Sequence, residues 1–279
     1  MTWVTAGYSE TGSSHKKDGK GCEDAFRVKR IDDLLFIAVS DGASSAVYSA
    51  DGAIAAVNAC EKLFLQKVAE EYFQFPSQES LNTLLYDMLA AARETIESTA
   101  KQSVSPSTDT EQDSEQDQDI HNYACTLLIF LAGKDWFAAA HIGDGAIVAQ
   151  FQDGEINAIV WPQNGEYANI TWFITSPDYQ NKFETVFQQR PIQSVAVFSD
   201  GIEYMCLDFI SKKAQKQFFI PIFQTITDLQ SSSEALATYI KSLLNLPFIQ
   251  GRSDDDLTLA LGGKIYADTN EQLLRDDAS

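Results

Sequence analysis

The 279-residue chain predicts an α+β layered domain. Strand-like runs come first, two helical stretches follow, strands return, and a helical region precedes a last strand-like run. Such blocks differ from the strict strand–helix alternation of a doubly wound sheet. Because 44% of the residues are hydrophobic, the chain can bury a sizeable core.

The first half of the chain supplies three strands and two helices. Strands are predicted over 2–8, 25–30 and 34–40, and two aspartates join the last two of them as in a hairpin. Apolar residues then recur at helical spacing over 50–73 and over 81–96. The sequence therefore predicts two long helices packed against each other.

An acidic segment, residues 101–122, interrupts the pattern. It has no aliphatic residue between Val104 and Ile120, and an acid stands at every second position from Asp109 to Asp119. Such a composition cannot bury apolar surface, so a disordered insertion loop is predicted. Because similar strands lie on both sides of the loop, we assign 1–263 to one domain and 264–279 to a C-terminal tail.

The second half returns to strands and ends in mixed structure. Asp153 and Gly154 form the turn of a predicted hairpin. A later strand ends at Asp200, and helical patterns cover 206–217 and 232–244. The remaining predicted strands span 123–133, 136–143, 146–154, 156–161 and 257–263.

Charge and cysteine content exclude several classes of protein. With 20 basic and 40 acidic residues, the net charge of −20 argues against binding to nucleic acid or to an anionic membrane. The four cysteines are widely spaced and form no zinc or disulfide pattern. Neither a signal peptide nor a membrane span is recognisable. These features predict a cytoplasmic protein with reduced thiols.

Three other Asp-Gly pairs come after apolar runs, at Asp41, Asp144 and Asp200. Asp-Gly is the commonest hairpin dipeptide, and this explains Asp153. It does not explain Asp41 and Asp200, because small or helix-forming residues follow them instead of a second strand. Carboxylates at the ends of several strands converge at one rim of a layered domain. Crowded there, they stay ionised only beside cations, and hard cations such as Mg²⁺ and Mn²⁺ prefer oxygen ligands.

Six motifs in order carry a family resemblance. They resemble the motifs of the metal-dependent protein Ser/Thr phosphatases, the type 2C or PPM family, over residues 1 to about 262, and "EYANITWFITS" (166–176) resembles a bacterial subgroup. The motifs are "CEDAF" (22–26), "AVSDGASS" (38–45), "YACTLL" (123–128), "HIGDGAIV" (141–148), "VFSDGIE" (197–203) and "SDDDLTLAL" (253–261).

The resemblance implies a four-layer α-β-β-α sandwich with two central, mainly antiparallel sheets and a metal cleft at the sheet edge. It implies two Mn²⁺ or Mg²⁺ ions with a weak third, and attack of a metal-bridging water on phosphoserine or phosphothreonine. The expected partners are phosphorylated proteins, opposite a Ser/Thr kinase, and the expected state is a monomer. The alternative is a pseudophosphatase that binds phosphoproteins without turnover; the retained acids favour catalysis.

The resemblance also assigns roles to individual residues. Asp41 would bridge two metals and Gly42 would offer its carbonyl, while Asp200 and Asp255 would bind the second ion. Asp144 would join Asp200 at the third site. In addition, metal-bound waters would be held by two further acids, Glu23 and Asp24.

Two departures from the family pattern affect phosphate binding and proton transfer. Ala43 stands where many members place a His proposed as general acid, and the usual phosphate-gripping Arg is absent. His15 is the candidate for either role, and Lys20, with the neighbouring lysines, is a candidate phosphate ligand. At the third site Tyr204 replaces the usual acid, and Glu203 is the candidate substitute.

Overall fold

Two five-stranded antiparallel sheets form the centre of the computed structural model, which describes residues 2–70, 77–102, 119–163, 171–228 and 232–265. In spatial order the first sheet contains β1 (Thr2–Glu10), β12 (Leu257–Ile265), β9 (Ile192–Phe198), β6 (Ala146–Phe151) and β7 (Ile156–Val160). The second contains β2 (Ala25–Ile31), β3 (Leu34–Ser40), β4 (Leu127–Ala132), β5 (Phe137–Ile142) and β8 (Glu184–Gln188). A separate short hairpin pairs β10 (Leu207–Asp208) with β11 (Lys213–Ala214).

Helices cover the outer face of each sheet. The helices of the described residues are α1 (Ser13–Lys17), α2 (Ser49–Ala69), α3 (Gln78–Gln102), α4 (Tyr179–Lys182), α5 (Glu203–Cys206), α6 (Lys216–Asp228), α7 (Ser233–Leu244) and α8 (Pro247–Gln250). Helices α2 and α3 pack on the second sheet, while α6 and α7 pack on the first. The predicted α-β-β-α sandwich is confirmed. No helix among the described residues is both long and apolar enough to cross a membrane.

Strand β3 shows how the sequence builds three core layers. Leu35, Ile37 and Val39 face the first sheet, whereas Phe36 and Ala38 face helices α2 and α3. All five side chains are fully buried. A strand covered on both faces needs a continuous apolar run, because successive side chains point to opposite sides. Each large buried side chain contributes about 1.5–3 kcal/mol of transfer free energy.

The predicted helix over 206–217 is wrong. Residues 207–214 form the β10–β11 hairpin, and α6 begins at Lys216. Asp208 is the reason, because its Oδ1 accepts hydrogen bonds from the amides of Ile210 (3.0 Å) and Ser211 (3.2 Å). Lys212 then adopts a φ of 51°. These local bonds close a turn and prevent the helix from continuing through it.

Two boundaries of the predicted disordered and terminal segments also change. Helix α3 continues to Gln102, and Ile120–Tyr123 form a 3₁₀ turn whose Tyr123 is buried. The remainder of the predicted acidic loop, 103–118, lies outside the described residues. At the other end, Lys264 and Ile265 belong to β12 rather than to the tail, and the tail beyond them also lies outside the described residues.

Candidate metal centre

The ends of strands from both sheets meet at one edge of the sandwich. Asp41 follows β3, and Asp200 follows β9 after one intervening serine. Asp144 lies in the turn between β5 and β6. The backbone of Asp41 is fixed by Thr126, whose amide donates to the Asp41 carbonyl (2.8 Å) and whose Oγ1 accepts from the Asp41 amide (3.0 Å). This pairing holds the Asp41 carboxylate at the sheet edge.

The three carboxylates of Asp41, Asp144 and Asp200 form a compact group. One oxygen of each lies within 4.8 Å of the others. They line a cleft of about 150 Å³ that also has Gly42 and Asp255 in its wall. The structure therefore brings together all five residues that the sequence predicted as metal ligands. The other lining residues are Ala43, Ser44, Ser45, Thr126, Thr171 and Phe173.

Burial and mutual repulsion make this cluster costly to ionise without a cation. Burial first, and then the charges of neighbouring aspartates, raise the pKa of Asp41 and Asp200 well above the ordinary range. Burial is also the main cause that raises the pKa of Asp144. In the described part of the chain, Oδ1 of Asp144 and Oδ1 of Asp200 are buried without a hydrogen-bond partner. Unpartnered, buried carboxylate oxygens fit a hard divalent cation.

The three consecutive aspartates before β12, Asp254 to Asp256, lie in different environments. Asp255 is half-buried and faces the cleft, whereas Asp254 is exposed. Asp256 is buried, and its carboxylate accepts hydrogen bonds from the amides of Gly12 (2.7 Å) and Glu23. Asp256 thus ties the start of β12 to the N-terminal segments.

Asp24 lies closer to the carboxylate cluster than Glu23 does. Its Oδ2 accepts a hydrogen bond from Ser199 Oγ (2.7 Å), one residue before Asp200. Burial raises its pKa to about 6, against the opposing effect of its hydroxyl donors. Glu23 instead accepts from Ser49 Oγ (2.8 Å) and lies 3.2 Å from the Lys20 ammonium.

The structure does not bring His15 or Lys20 into the cleft lining. His15 is buried on α1, with Nδ1 3.0 Å from Asp256 Oδ2 and Nε2 3.6 Å from Glu23 Oε2. Burial would lower the His15 pKa, but Asp256 and the other nearby carboxylates outweigh burial and raise it. Lys20 is exposed and contacts Glu23. No basic side chain is among the described residues that line the cleft.

Sequence reasoning missed two hydroxyl residues and could not place Glu203. Thr171 donates from Oγ1 to Asp144 Oδ2, and Thr126 fixes Asp41 as described. Nothing in their spacing marks either threonine. Glu203 is half-buried; burial first, and then the charge of Asp144, raise its pKa to about 7. Tyr204 points to solvent, with 76% of its surface exposed.

Comparisons with known proteins agree with this geometry. The family profile described as protein phosphatase 2C matches residues 11–241. Serine/threonine-protein phosphatase 3 of Escherichia coli (strain K12) is 30% identical over 270 residues, which cover 94% of this chain and 98% of that protein.

Solved structures show the same fold at low identity. The phosphatase PstP/Ppp of Mycobacterium tuberculosis has a TM-score of 0.59 at 14% identity, with 95% of this chain and 100% of that chain covered. Stp1 of Staphylococcus aureus has a TM-score of 0.59 at 12% identity, with 95% of each chain covered. The chain therefore belongs to the protein phosphatase 2C family of metal-dependent phosphatases, as its ordered motifs predicted.

Proposed function

We propose that the protein hydrolyses phosphoserine and phosphothreonine in protein substrates, using two divalent cations, Mn²⁺ or Mg²⁺. The observation that carries the proposal is the buried group of Asp41, Asp144 and Asp200, whose oxygens lie within 4.8 Å of one another. The curated relative from Escherichia coli is named a serine/threonine-protein phosphatase, which supports the same substrate class. None of these observations favours a pseudophosphatase.

We assign the two cations to Asp41, Gly42, Asp200 and Asp255, with Asp144 and Asp200 as ligands of a weaker third. When bound, such ions lower the pKa of a water at the cleft and neutralise charge on phosphoryl oxygens. The unpartnered oxygens of Asp144 and Asp200 support ligation by these two side chains. Glu203, whose pKa is raised by burial first and then by the charge of Asp144, is the further acid we assign to the third position.

The surrounding side chains hold these acids in place. Thr171 orients Asp144 through its hydroxyl, and Ser199 orients Asp24, which we place beside the metal-bound waters together with Glu23. His15 contacts two carboxylates that stand behind the cleft. We therefore propose His15 as a positioning residue rather than as the general acid or a phosphate ligand.

We assign phosphate binding to the cations and to hydroxyl groups of the cleft wall. The described cleft wall offers hydroxyls at Ser44 and Ser45 but no ammonium or guanidinium group. We also propose Lys20 as a phosphate ligand; its ammonium lies 3.2 Å from Glu23 and would leave this contact to reach a phosphate. Hydroxyls and cations together can neutralise and orient a dianionic phosphate.

We further propose a cytoplasmic monomer that opposes a Ser/Thr kinase. All four cysteines are free thiols, and Cys60, Cys125 and Cys206 are buried. Burial is the main cause that raises the pKa of Cys125 to about 12, so these thiols suit a reducing compartment and a structural role.

The test is hydrolysis of p-nitrophenyl phosphate and of a phosphothreonine peptide in Mn²⁺, in Mg²⁺ and in chelator. We expect turnover that requires a divalent cation and disappears in chelator. Asp41→Asn should lose most turnover, whereas Asp254→Asn, a neighbouring exposed acid, should keep it. Peptide binding without turnover under every metal condition would identify a pseudophosphatase instead.

A further inference from the structure

An exposed surface with apolar and basic side chains follows the cleft residue Asp200 in the chain. We call it the hairpin surface and define it by five residues of α5 and of the β10–β11 hairpin: Tyr204, Phe209, Ile210, Lys212 and Lys213. Tyr204 is 76% exposed and Ile210 is 98% exposed. The Phe209 ring lies 5.5 Å from the Tyr204 ring. Large apolar side chains grouped in solvent mark a contact surface more often than a structural one.

The hairpin holds Ile210 in a fixed position rather than on a loose loop. Asp208 Oδ1 accepts from the amides of Ile210 and Ser211, and its Oδ2 accepts from Ser211 Oγ (2.7 Å). Beneath the turn, Phe209 packs edge-on against Trp161, with ring centroids 5.5 Å apart. A preorganised apolar side chain loses little conformational entropy when a partner covers it.

Lys212 adds backbone strain to the same turn. Its φ of 51° is in the left-handed region, which a residue with a Cβ rarely adopts. Such strain persists where the surrounding structure holds it, and it concentrates at functional sites.

The hairpin surface is connected to the metal centre through two short chain segments. Tyr204 lies four residues after Asp200 in the sequence, and Asp200 lines the cleft. On the other side, Gln163 follows Trp161 by two residues. It exchanges two hydrogen bonds of 3.0 Å with Gly143, the residue before Asp144. A chain segment that places its phosphate in the cleft therefore has the hairpin surface within reach.

The charge of the hairpin differs from that of the whole molecule. The chain carries a net charge of −20, yet Lys212, Lys213 and Lys216 fall within five residues and are all exposed. Asp208 is the acid of the hairpin that interacts with Lys213, and among the described residues no carboxylate oxygen lies within 4.0 Å of any of these three ammonium groups. A basic rim around an apolar centre complements a partner that is apolar and acidic.

From these observations we infer that the hairpin surface binds the substrate protein next to its phosphorylated residue, and selects segments that carry a large apolar side chain flanked by acids. The apolar side chain packs on Ile210 and the Tyr204–Phe209 pair, while the acids face Lys212 and Lys213. This inference rests on the proposed function and deepens it, because it names the class of substrate that the same site prefers.

The test compares Ile210→Ser with wild type on two phosphothreonine peptides and on p-nitrophenyl phosphate. One peptide carries leucine and glutamates beside the phosphothreonine, and the other carries serine and lysines at those positions. We expect wild type to prefer the first peptide. Ile210→Ser should lower its kcat/KM by about tenfold, the loss typical of one apolar contact, and leave p-nitrophenyl phosphate unchanged.

The charged rim has its own variant. Lys212→Glu/Lys213→Glu should lower kcat/KM for the acidic peptide by about tenfold at low salt, with a smaller effect at high salt. The matched control is Leu65→Ser, which alters an exposed apolar residue on α2 and should leave both peptides unaffected. Equal kcat/KM for wild type and both hairpin variants on the acidic, apolar peptide would overturn the inference.

Failure of the proposed function is distinguishable from failure of this inference. Wild type that hydrolyses neither p-nitrophenyl phosphate nor peptide in any metal would reject the proposed function. Fluorescence anisotropy with a non-hydrolysable phosphonate version of the acidic, apolar peptide then still decides the inference. A Kd about tenfold weaker for Ile210→Ser than for Leu65→Ser supports it, and equal Kd values reject it.

Discussion

Replacing Asp200 by Asn separates a metal ligand from a turn residue. The change keeps the shape and turn-forming ability of the side chain but removes its charge. In the metal-free protein, Asp200 has oxygen atoms within 4.8 Å of those of Asp41 and Asp144. A pair of unit charges at that distance repels by about 3.5 kcal/mol at an effective dielectric constant of about 20. Asp200→Asn removes two such pairs.

The net gain is smaller than the two pairs suggest, because the raised pKa values mean that protons already relieve part of the repulsion. We expect Asp200→Asn to raise the free energy of unfolding in chelator by about 2 kcal/mol. For a domain of this size, that is an increase in Tm of about 4–8 °C. In Mn²⁺ the order should reverse, because the variant loses a ligand and the stabilisation that bound metal provides.

The assay is thermal melting in chelator and in Mn²⁺, with calorimetric metal titration and turnover alongside. The matched control is Asp153→Asn, which alters another Asp-Gly pair at an exposed hairpin where Asp153 contacts Arg190. That variant should leave the Tm nearly unchanged in either condition, because an exposed ion pair contributes little to stability. Unchanged metal stoichiometry and turnover in Asp200→Asn, with a lowered Tm in chelator, would refute the ligand assignment.

Two further predictions concern buried cationic groups. His15→Ala should slow p-nitrophenyl phosphate and a phosphoserine peptide by the same factor, because His15 positions other groups; a larger effect on the peptide would restore it as general acid. The raised His15 pKa stabilises the fold fully below its ordinary value of 6.5, and this stability is lost as pH rises through the folded pKa. Melting from pH 6 to 9 should therefore show the wild-type advantage over His15→Ala shrinking, and a constant difference would contradict the assignment. For Lys264, buried in β12, burial lowers the folded pKa to about 8 from 10.5, so the folded state gains relative to the unfolded state as pH rises between these values. The free energy of unfolding of wild type, measured with denaturant, should accordingly rise by about 1–3 kcal/mol relative to that of Lys264→Met from pH 8 to 10. Parallel pH profiles of the two proteins would contradict this.

The sequence predicted the elements of a layered α+β domain because its strongest signals are local, and the family resemblance supplied the sandwich. The apolar run of β3 and the apolar periodicity of α2 and α3 indicate directly that these segments are buried. Asp41 and Asp200 stand at strand ends that a layered fold brings to one edge. What escaped prediction depends on partners distant in the chain. His15 was predicted to bind phosphate or to act as general acid, but its ring lies against Asp256, about 240 residues later in the chain. The order of strands in the two sheets is likewise set by contacts that no local pattern encodes.

Short-range side-chain bonds account for the mispredicted hairpin. Phe209, Ile210 and Ala214 have spacing compatible with a helix, yet Asp208 captures two backbone amides that a helix would use elsewhere. Periodicity counts apolar residues and does not register this competition. Thr171 is a different case, since its hydroxyl matters only because the fold carries it to Asp144.

The pairing of β1 with β12 has a consequence for the order of events during synthesis. In the described sheet, β1 pairs with β12 alone, from Thr2 opposite Ile265 to Glu10 opposite Leu257. In a nascent chain β1 therefore stays unpaired until the residues between β1 and β12, and β12 itself, have been synthesised. Asp255, and Asp256 with the hydrogen bond that it accepts from the Gly12 amide, are synthesised just before this strand. The chain consequently acquires its complete set of acidic ligands only after β12 has been synthesised, and contacts this distant in sequence make for slow folding.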